Sequence, residues 1–263
     1  MNEAAKVQML FCKTITEIEF NQWGELKTIV EHLKDFTFQE SDSSKIHEFF
    51  SLYMFLLGSF KIGKLSFPVK IISRESPDFT IIYENQNKEI GLEHTKATVE
   101  SFKIAESELK KHPEESLLEL SYYSPFVKIP KKQSDIGIVY PKGHLKGEGW
   151  NGDQVEHEWS EIILNAIKKK TELLNEGHFE IKKQNSLFIE DDSPVDFIKH
   201  ENDAIRLLKE NFNQQKLSAK HIFDNVHIFS NCAFIYDVFP GTWQLFPTQT
   251  ACIFSVMFSN RSS

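Results

Sequence analysis

The chain predicts an α/β fold in a single domain over residues 1–263, and three observations carry that expectation. Its 263 residues are 40% hydrophobic, with 23 Phe against only 11 Gly and 9 Pro, which suits a packed core rather than a fibrous or low-complexity chain. Some stretches space their apolar residues as helices do, whereas others are short β-rich runs. The two textures alternate along the chain, as they do where helices cover a sheet.

In order, Trp23, Leu26, Ile29, Val30 and Leu33 recur at helical spacing. After the polar break QESDSS, a second helical series runs through Ile46, Phe49, Phe50, Tyr53 and Leu57. From Leu65 the chain reads FPVKII, DFTIIY and KEIGLEHT, a strand followed by a hairpin whose turn is ENQNK. Residues 97–111 predict a helix. Residues 121–152, with Pro125, Pro130 and Pro141, predict a long loop with a short strand at IGIVY. Trp159, Ile162, Ile163, Ala166, Ile167, Leu173 and Leu174 form one apolar stripe, predicting a helix from about Asp153 to Asn175. SLFIE is the next strand. Asp192 or Ser193 caps a following helix, with Pro194 in its first turn, that runs to about Phe212. VHIF, AFIYDVF, TWQLF and ACIFSVMF complete the chain as further strands.

Thirty Lys and Arg against 38 Asp and Glu leave a net charge of −8, which excludes a protein that coats nucleic acid through its overall field. Cys12, Cys232 and Cys252 are odd in number and lack CxxC spacing, so neither a disulfide framework nor a cysteine zinc site is expected. The amino terminus is acidic where a secretory signal would be basic, and the longest apolar run, Phe49 to Phe60, is too short to span a bilayer. A cytoplasmic protein without a membrane partner is the expectation. Neither His47-Glu48 nor His157-Glu158 has the second histidine of HExxH, and the glycines near Gly149 lack GK[ST], so zincin and P-loop chemistry are set aside.

The informative stretch is Ser76-Pro77-Asp78-Phe79, the turn, and Glu93-His94-Thr95-Lys96. A turn centred between Asn85 and Gln86 pairs positions whose numbers sum to about 171, so Asp78 faces Glu93. Ile90, Leu92 and His94 then share one face of the strand, and Glu93 and Thr95 share the other, solvent-facing one. Two adjacent carboxylates repel unless one is protonated or a cation lies between them, and a hard divalent ion resolves the repulsion.

This stretch resembles the PD-(D/E)xK, or restriction-endonuclease-like, nuclease superfamily, whose core is a helix, a three-strand meander, a helix and a further strand. Pro77-Asp78 stands as the first half of its motif and Glu93-His94-Thr95 as the second. The likeness covers residues 44–190, leaving the N-terminal helices (1–43) and the C-terminal helix and strands (191–263) outside it. It implies a mixed sheet flanked by helices, and hydrolysis of phosphodiester bonds, in DNA, within a defence or repair setting. It further implies Mg²⁺, or Mn²⁺, held by Asp78, Glu93 and the His94 main-chain carbonyl, with Glu48 from the preceding helix as an additional acid. Thr95 occupies the motif's lysine position. The resemblance therefore implies a displaced lysine: Lys96, brought round by a bulge at Thr95, or Lys170 from the long helix. The alternative that Thr95 motivates is a degenerate nuclease-fold module that binds nucleic acid or a protein partner without cutting. Cutting both strands of a duplex would call for two sites and hence a homodimer.

Simpler readings stand beside these: exposed strand acids for Asp78 and Glu93, helix-end cations for Lys168 to Lys170, and helix capping for Glu190-Asp191-Asp192. The stretch from Lys128 to Lys146 holds Lys128, Lys131, Lys132, Lys142 and Lys146 against Asp135 alone, either a lobe that tracks phosphates or a solvated loop. Replacing Lys131, Lys132 and Lys142 with Gln separates the two. If the loop tracks DNA, the salt dependence of binding flattens by roughly one unit of slope per lost phosphate contact. An unchanged slope would make it a solvated excursion.

Overall fold

A computed structural model of the chain describes residues 17–25, 27, 43–61, 63–109, 117–118, 138–139, 152–195, 198, 201–214, 221–230, 233–236 and 244–247. The fold is α/β, built on a mixed eight-stranded sheet. Its strands are β1 (Glu17–Phe20), β2 (Val69–Ser73), β3 (Phe79–Tyr83), β4 (Lys88–Ala97), β7 (Gln184–Asp191), β8 (Asn225–Ser230), β9 (Ala233–Tyr236) and β10 (Gln244–Pro247), adjacent in that order. A separate pair joins β5 (Leu117–Leu118) to β6 (Ile138–Val139). The helices are α1 (Ser43–Lys61), α2 (Glu100–Leu109), α3 (Gln154–Asn175) and α4 (Glu201–Gln214).

The chain divides into two compact units. The first comprises Met1–Thr95, Thr171–Glu190 and Ala219–Ser263; the second comprises Lys96–Lys170 and Asp191–Ser218. The large sheet and α1 belong to the first. β1 to β4 form an antiparallel meander, whereas β7 and β8 are parallel, and the crossover that parallel pairing requires runs through α4.

One face of the sheet carries the core. Ile18 lies opposite Ile71, Ile71 opposite Ile81, Ile81 opposite Ile90, and Phe79 opposite Leu92. Directly opposed residues share a face, so these buried side chains make one apolar surface. Phe49, Leu52, Tyr53, Met54, Phe55, Leu56 and Leu57 of α1 cluster with it. Each such large side chain stabilises the fold by about 1.5–3 kcal/mol on full burial. The face also holds a histidine: His227 lies opposite Phe188 on β8, is fully buried and meets the Phe55 ring edge-on at 5.1 Å.

Two features end their elements cleanly. Asn87 takes a left-handed conformation (φ 48°) after the 3₁₀ turn Glu84–Gln86, closing the β3–β4 hairpin; Asn tolerates this region better than most residues. Gly177 (φ 83°) closes α3, with its N–H donated to the Leu174 carbonyl and that of His178 to the Leu173 carbonyl, a Schellman arrangement.

The expected α3, hairpin and SLFIE strand all form, and the VHIF, AFIYDVF and TWQLF runs contain β8, β9 and β10. α4 begins at Glu201, not at Pro194, so Asp192 and Ser193 do not cap it. β1 was not foreseen, because EIEF is only four residues long. Of the first helical series, Trp23 lies in a helical stretch, while Leu26, Ile29, Val30 and Leu33 lie outside the described residues, as do the three cysteines and ACIFSVMF. Among the described residues no helix is long and apolar enough to cross a membrane.

His227 makes the fold sensitive to acid. Burial, then the charge of Lys64, depress its pKa from 6.5 to about 3. The unfolded chain therefore binds a proton that the folded chain refuses, and stability is lost as pH falls from about 6.5 towards 3, with a slope of up to about 1.4 kcal/mol per pH unit. Thermal unfolding of His227→Leu across this range should show a shallower loss than the parent. Parallel curves would refute a neutral buried His227.

Candidate active site on the hairpin

The hairpin positions the candidate site. The last paired residues are Phe79 and Leu92, the sum of 171 expected from the turn, and one step further along Asp78 faces Glu93. The same end of β4 reaches back to Asp78, whose Oδ2 accepts the main-chain N–H of His94 at 2.7 Å.

The electrostatics agree with this geometry. Burial, and then the Glu93 carboxylate, push the Asp78 pKa from 3.8 up to about 7; Glu48 of α1 pushes the same way, against the His94 N–H and imidazole. Of the three acids expected to cooperate, Glu93 and Glu48 thus each lie within electrostatic range of Asp78. The expectation of a solvent-facing Glu93 is corrected: it is only 5% exposed. Alternation assigns a residue to a face without saying what covers that face, and here Thr80, Leu187 and Ile189 are buried too.

Of the expected lysines, Lys96 has a partner of its own. Lys96 Nζ lies 3.8 Å from Asp192 Oδ2. His94 and Lys96 meet Glu190 and Asp192 respectively, the two-residue step of an alternating strand, so Lys96 keeps to the His94 side of β4. Thr95 is half-buried, on the same parity as Glu93. Lys170 is half-buried on α3, in the second unit. Lys128, Lys131, Lys132, Lys142 and Lys146 lie outside the described residues.

Sequence reasoning missed a second polar cluster. On the core-facing side of the sheet, Glu190 Oε2 lies 2.7 Å from His47 Nδ1 and 3.4 Å from His94 Nε2, and the two imidazoles are stacked 6.5 Å apart. Spacing could have signalled it, since Glu190 follows the buried Phe188 by two residues and His94 follows Leu92 by two. Glu190 and Asp191 belong to β7, and the run Glu190-Asp191-Asp192 lies well before the first residue of α4. Asp191 accepts the Trp159 indole N–H at 2.7 Å and the Ser193 N–H at 3.1 Å, and Asp192 takes Lys96.

Among the described residues, no three His, Cys, Asp or Glu side chains stand at ion-holding distances. The hard oxygen donors of Asp78, Glu93 and Glu48 nonetheless match Mg²⁺ or Mn²⁺ in kind. Comparison with protein-family models, curated proteins and solved structures returned no match for this chain.

The raised Asp78 fixes a sign for the metal-free protein. Between pH 4 and 7 the folded state holds a proton that the unfolded chain has released, so stability falls as pH rises through this window and levels off above it. Asp78→Asn keeps an oxygen to accept the His94 N–H and removes the charge. In chelator at pH 8 it should melt higher than the parent and lose the fall between pH 4 and 7. A lower melting temperature at pH 8 would overturn the buried like-charge pair.

Proposed function

We propose that this chain is a divalent-cation-dependent nuclease that hydrolyses phosphodiester bonds, with DNA as its substrate. The observation that carries the reading is that Asp78, one residue before the last paired position of the β3–β4 hairpin, lies in electrostatic range of Glu93 and accepts the His94 N–H. A half-buried carboxylate beside a buried one costs stability, so the pair is expected where a task needs its charge. The order α1, the meander β2–β4, α2 and, after β5, β6 and α3, the strand β7 is similar to the helix, three strands, helix and strand of the PD-(D/E)xK superfamily that residues 76–96 resemble, with β5, β6 and one helix more than that core.

In this reading Asp78 and Glu93, with the His94 carbonyl, would hold a Mg²⁺ ion, and Glu48 would add negative charge from α1. A bound divalent ion supplies a nucleophile at neutral pH and offsets the charge that grows on the attacked phosphate. The chain's own contribution is position. The His94 N–H orients the Asp78 carboxylate, and the strand pairing sets its separation from Glu93, which suits a reaction governed by alignment and electrostatics.

Thr95, together with the pairing of Lys96 to Asp192, favours a second reading, a nuclease-fold module that binds nucleic acid or a protein partner without cutting. Incubation of the purified chain with plasmid and single-stranded DNA, with Mg²⁺ or Mn²⁺ and with chelator, distinguishes the two. Cleavage that needs the cation and is lost in both Asp78→Asn and Glu93→Gln, each folded by circular dichroism, is the expected result. No product under any condition would leave only the binding module, and full activity in either variant would remove the reaction from this hairpin.

A further inference from the structure

We infer that Lys182 is the cation that serves Glu93, a positioning residue whose ammonium moves between Glu89 and Glu93 across Gly91; this deepens the nuclease reading and rests on it. The inference starts from parity. Along β4, Glu89, Gly91 and Glu93 alternate with Ile90 and Leu92 and so lie on one face. Over that face, where a side chain on residue 91 would stand, the space is already filled. A Cβ on Gly91 would lie 3.0 Å from Lys182 Cγ and 3.1 Å from Pro77 Cγ. Glycine is the residue that lets a lysine stem cross the strand here, beside the proline that precedes Asp78.

From this crossing the ammonium turns one way. Lys182 Nζ lies 3.2 Å from Glu89 Oε1 and 2.5 Å from Glu180 Oε1. Glu93 lies as far from Gly91 along the strand as Glu89 does, about 7 Å to the other side. A stem that delivers its charge to Glu89 is long enough to deliver it to Glu93 by rotating its last bonds. Its base is fixed: Asn185 Oδ1 accepts the Lys182 N–H at 3.0 Å, and Asn185 Nδ2 donates to the Lys182 carbonyl at 3.2 Å. Asn185 is held in turn, donating its N–H to Asp224 Oδ2 at 2.6 Å and accepting the Asp224 N–H at 2.7 Å.

The two destinations differ in strength. Glu180 is about half exposed and Glu89 about a third exposed at their side chains, so both are solvent-screened partners. Glu93 is buried, and the same ammonium interacts more strongly there. Lys182 itself is only 6% exposed, an unusual position for a lysine whose sole task is a rim ion pair. Against Glu93 the ammonium orients the carboxylate, and it competes with a divalent ion for the same oxygens.

That competition provides a readout besides cleavage. Lys182→Met keeps the stem over Gly91 and removes the charge, Lys182→Arg keeps the charge, and the double variant Glu89→Gln with Glu180→Gln removes both resting partners. Mn²⁺ alone, titrated by the paramagnetic signal of the free ion, should bind several-fold tighter to Lys182→Met than to the parent and more weakly to the double variant. On plasmid DNA, Lys182→Met should lose on the order of 10²-fold in kcat with little change in KM, as when one preorganised charge is removed, and Lys182→Arg should recover most of it. Parent-like Mn²⁺ affinity in Lys182→Met would overturn the role of Lys182 while leaving the nuclease reading intact. Equal loss of cleavage in the Arg and Met variants would do the same. A parent protein that neither binds Mn²⁺ nor cuts would bring down the nuclease reading and this inference together.

Discussion

The pairing register of β3 with β4 is the constraint on which the core and the candidate site both depend. Because side chains alternate every residue, a single register sets Phe79 against Leu92 and Ile81 against Ile90 on the core face, and sets Asp78 against Glu93 on the other. Neither consequence can be had without the other. The short turn Glu84–Gln86, closed by Asn87, holds the register from one end. From the other, the Asp78 carboxylate grips the His94 N–H, and the Asp78 carbonyl accepts the Arg74 N–H at 2.9 Å. The site is thus framed by one bond within the main chain and one that depends on the Asp78 side chain itself.

Much of this was legible in the amino-acid sequence, and the reasons are local. ENQNK can only be a turn between two β-branched runs, so the register followed from counting. The stripe from Trp159 to Leu174 has helical period over its whole length, and α3 spans Gln154–Asn175. Less legible was whatever depends on distant partners. The burial of Glu93 is set by what covers its face, and no pattern within β4 encodes that. Pro194 is allowed by local chemistry as the start of a helix, yet Pro194, Val195 and Ile198 are not helical and α4 is Glu201–Gln214. Lys96 follows the motif by one residue and still belongs to Asp192. One signal was present and passed over: a glycine inside the strand pattern KEIGLEHT marks a close approach, and Lys182 and Pro77 are what approach it.

The first unit gathers two polar clusters around β4. Glu190 lies beside His47 and His94. Asp78 lies beside Glu93, with Glu48 and His94 in range, an excess of acidic groups that the surrounding burial makes costly. Such an arrangement is destabilising in itself, and the apolar surface shared by α1 and the meander is what offsets it. His227, buried against Phe55 in that same surface, is a further polar group that the packing carries.

The alternation of β4 also limits how this molecule can change over time. Replacing Leu92 with another apolar residue, or Glu93 with Asp, leaves every neighbour on its own side of the sheet. Deleting Gly91 does not: it exchanges the sides, delivering the Glu93 carboxylate to the apolar layer and Leu92 to the acidic one. Descendants of this hairpin are therefore reached by substitution, and length variation is confined to the segments that flank it, where a residue gained or lost moves no side chain through the sheet.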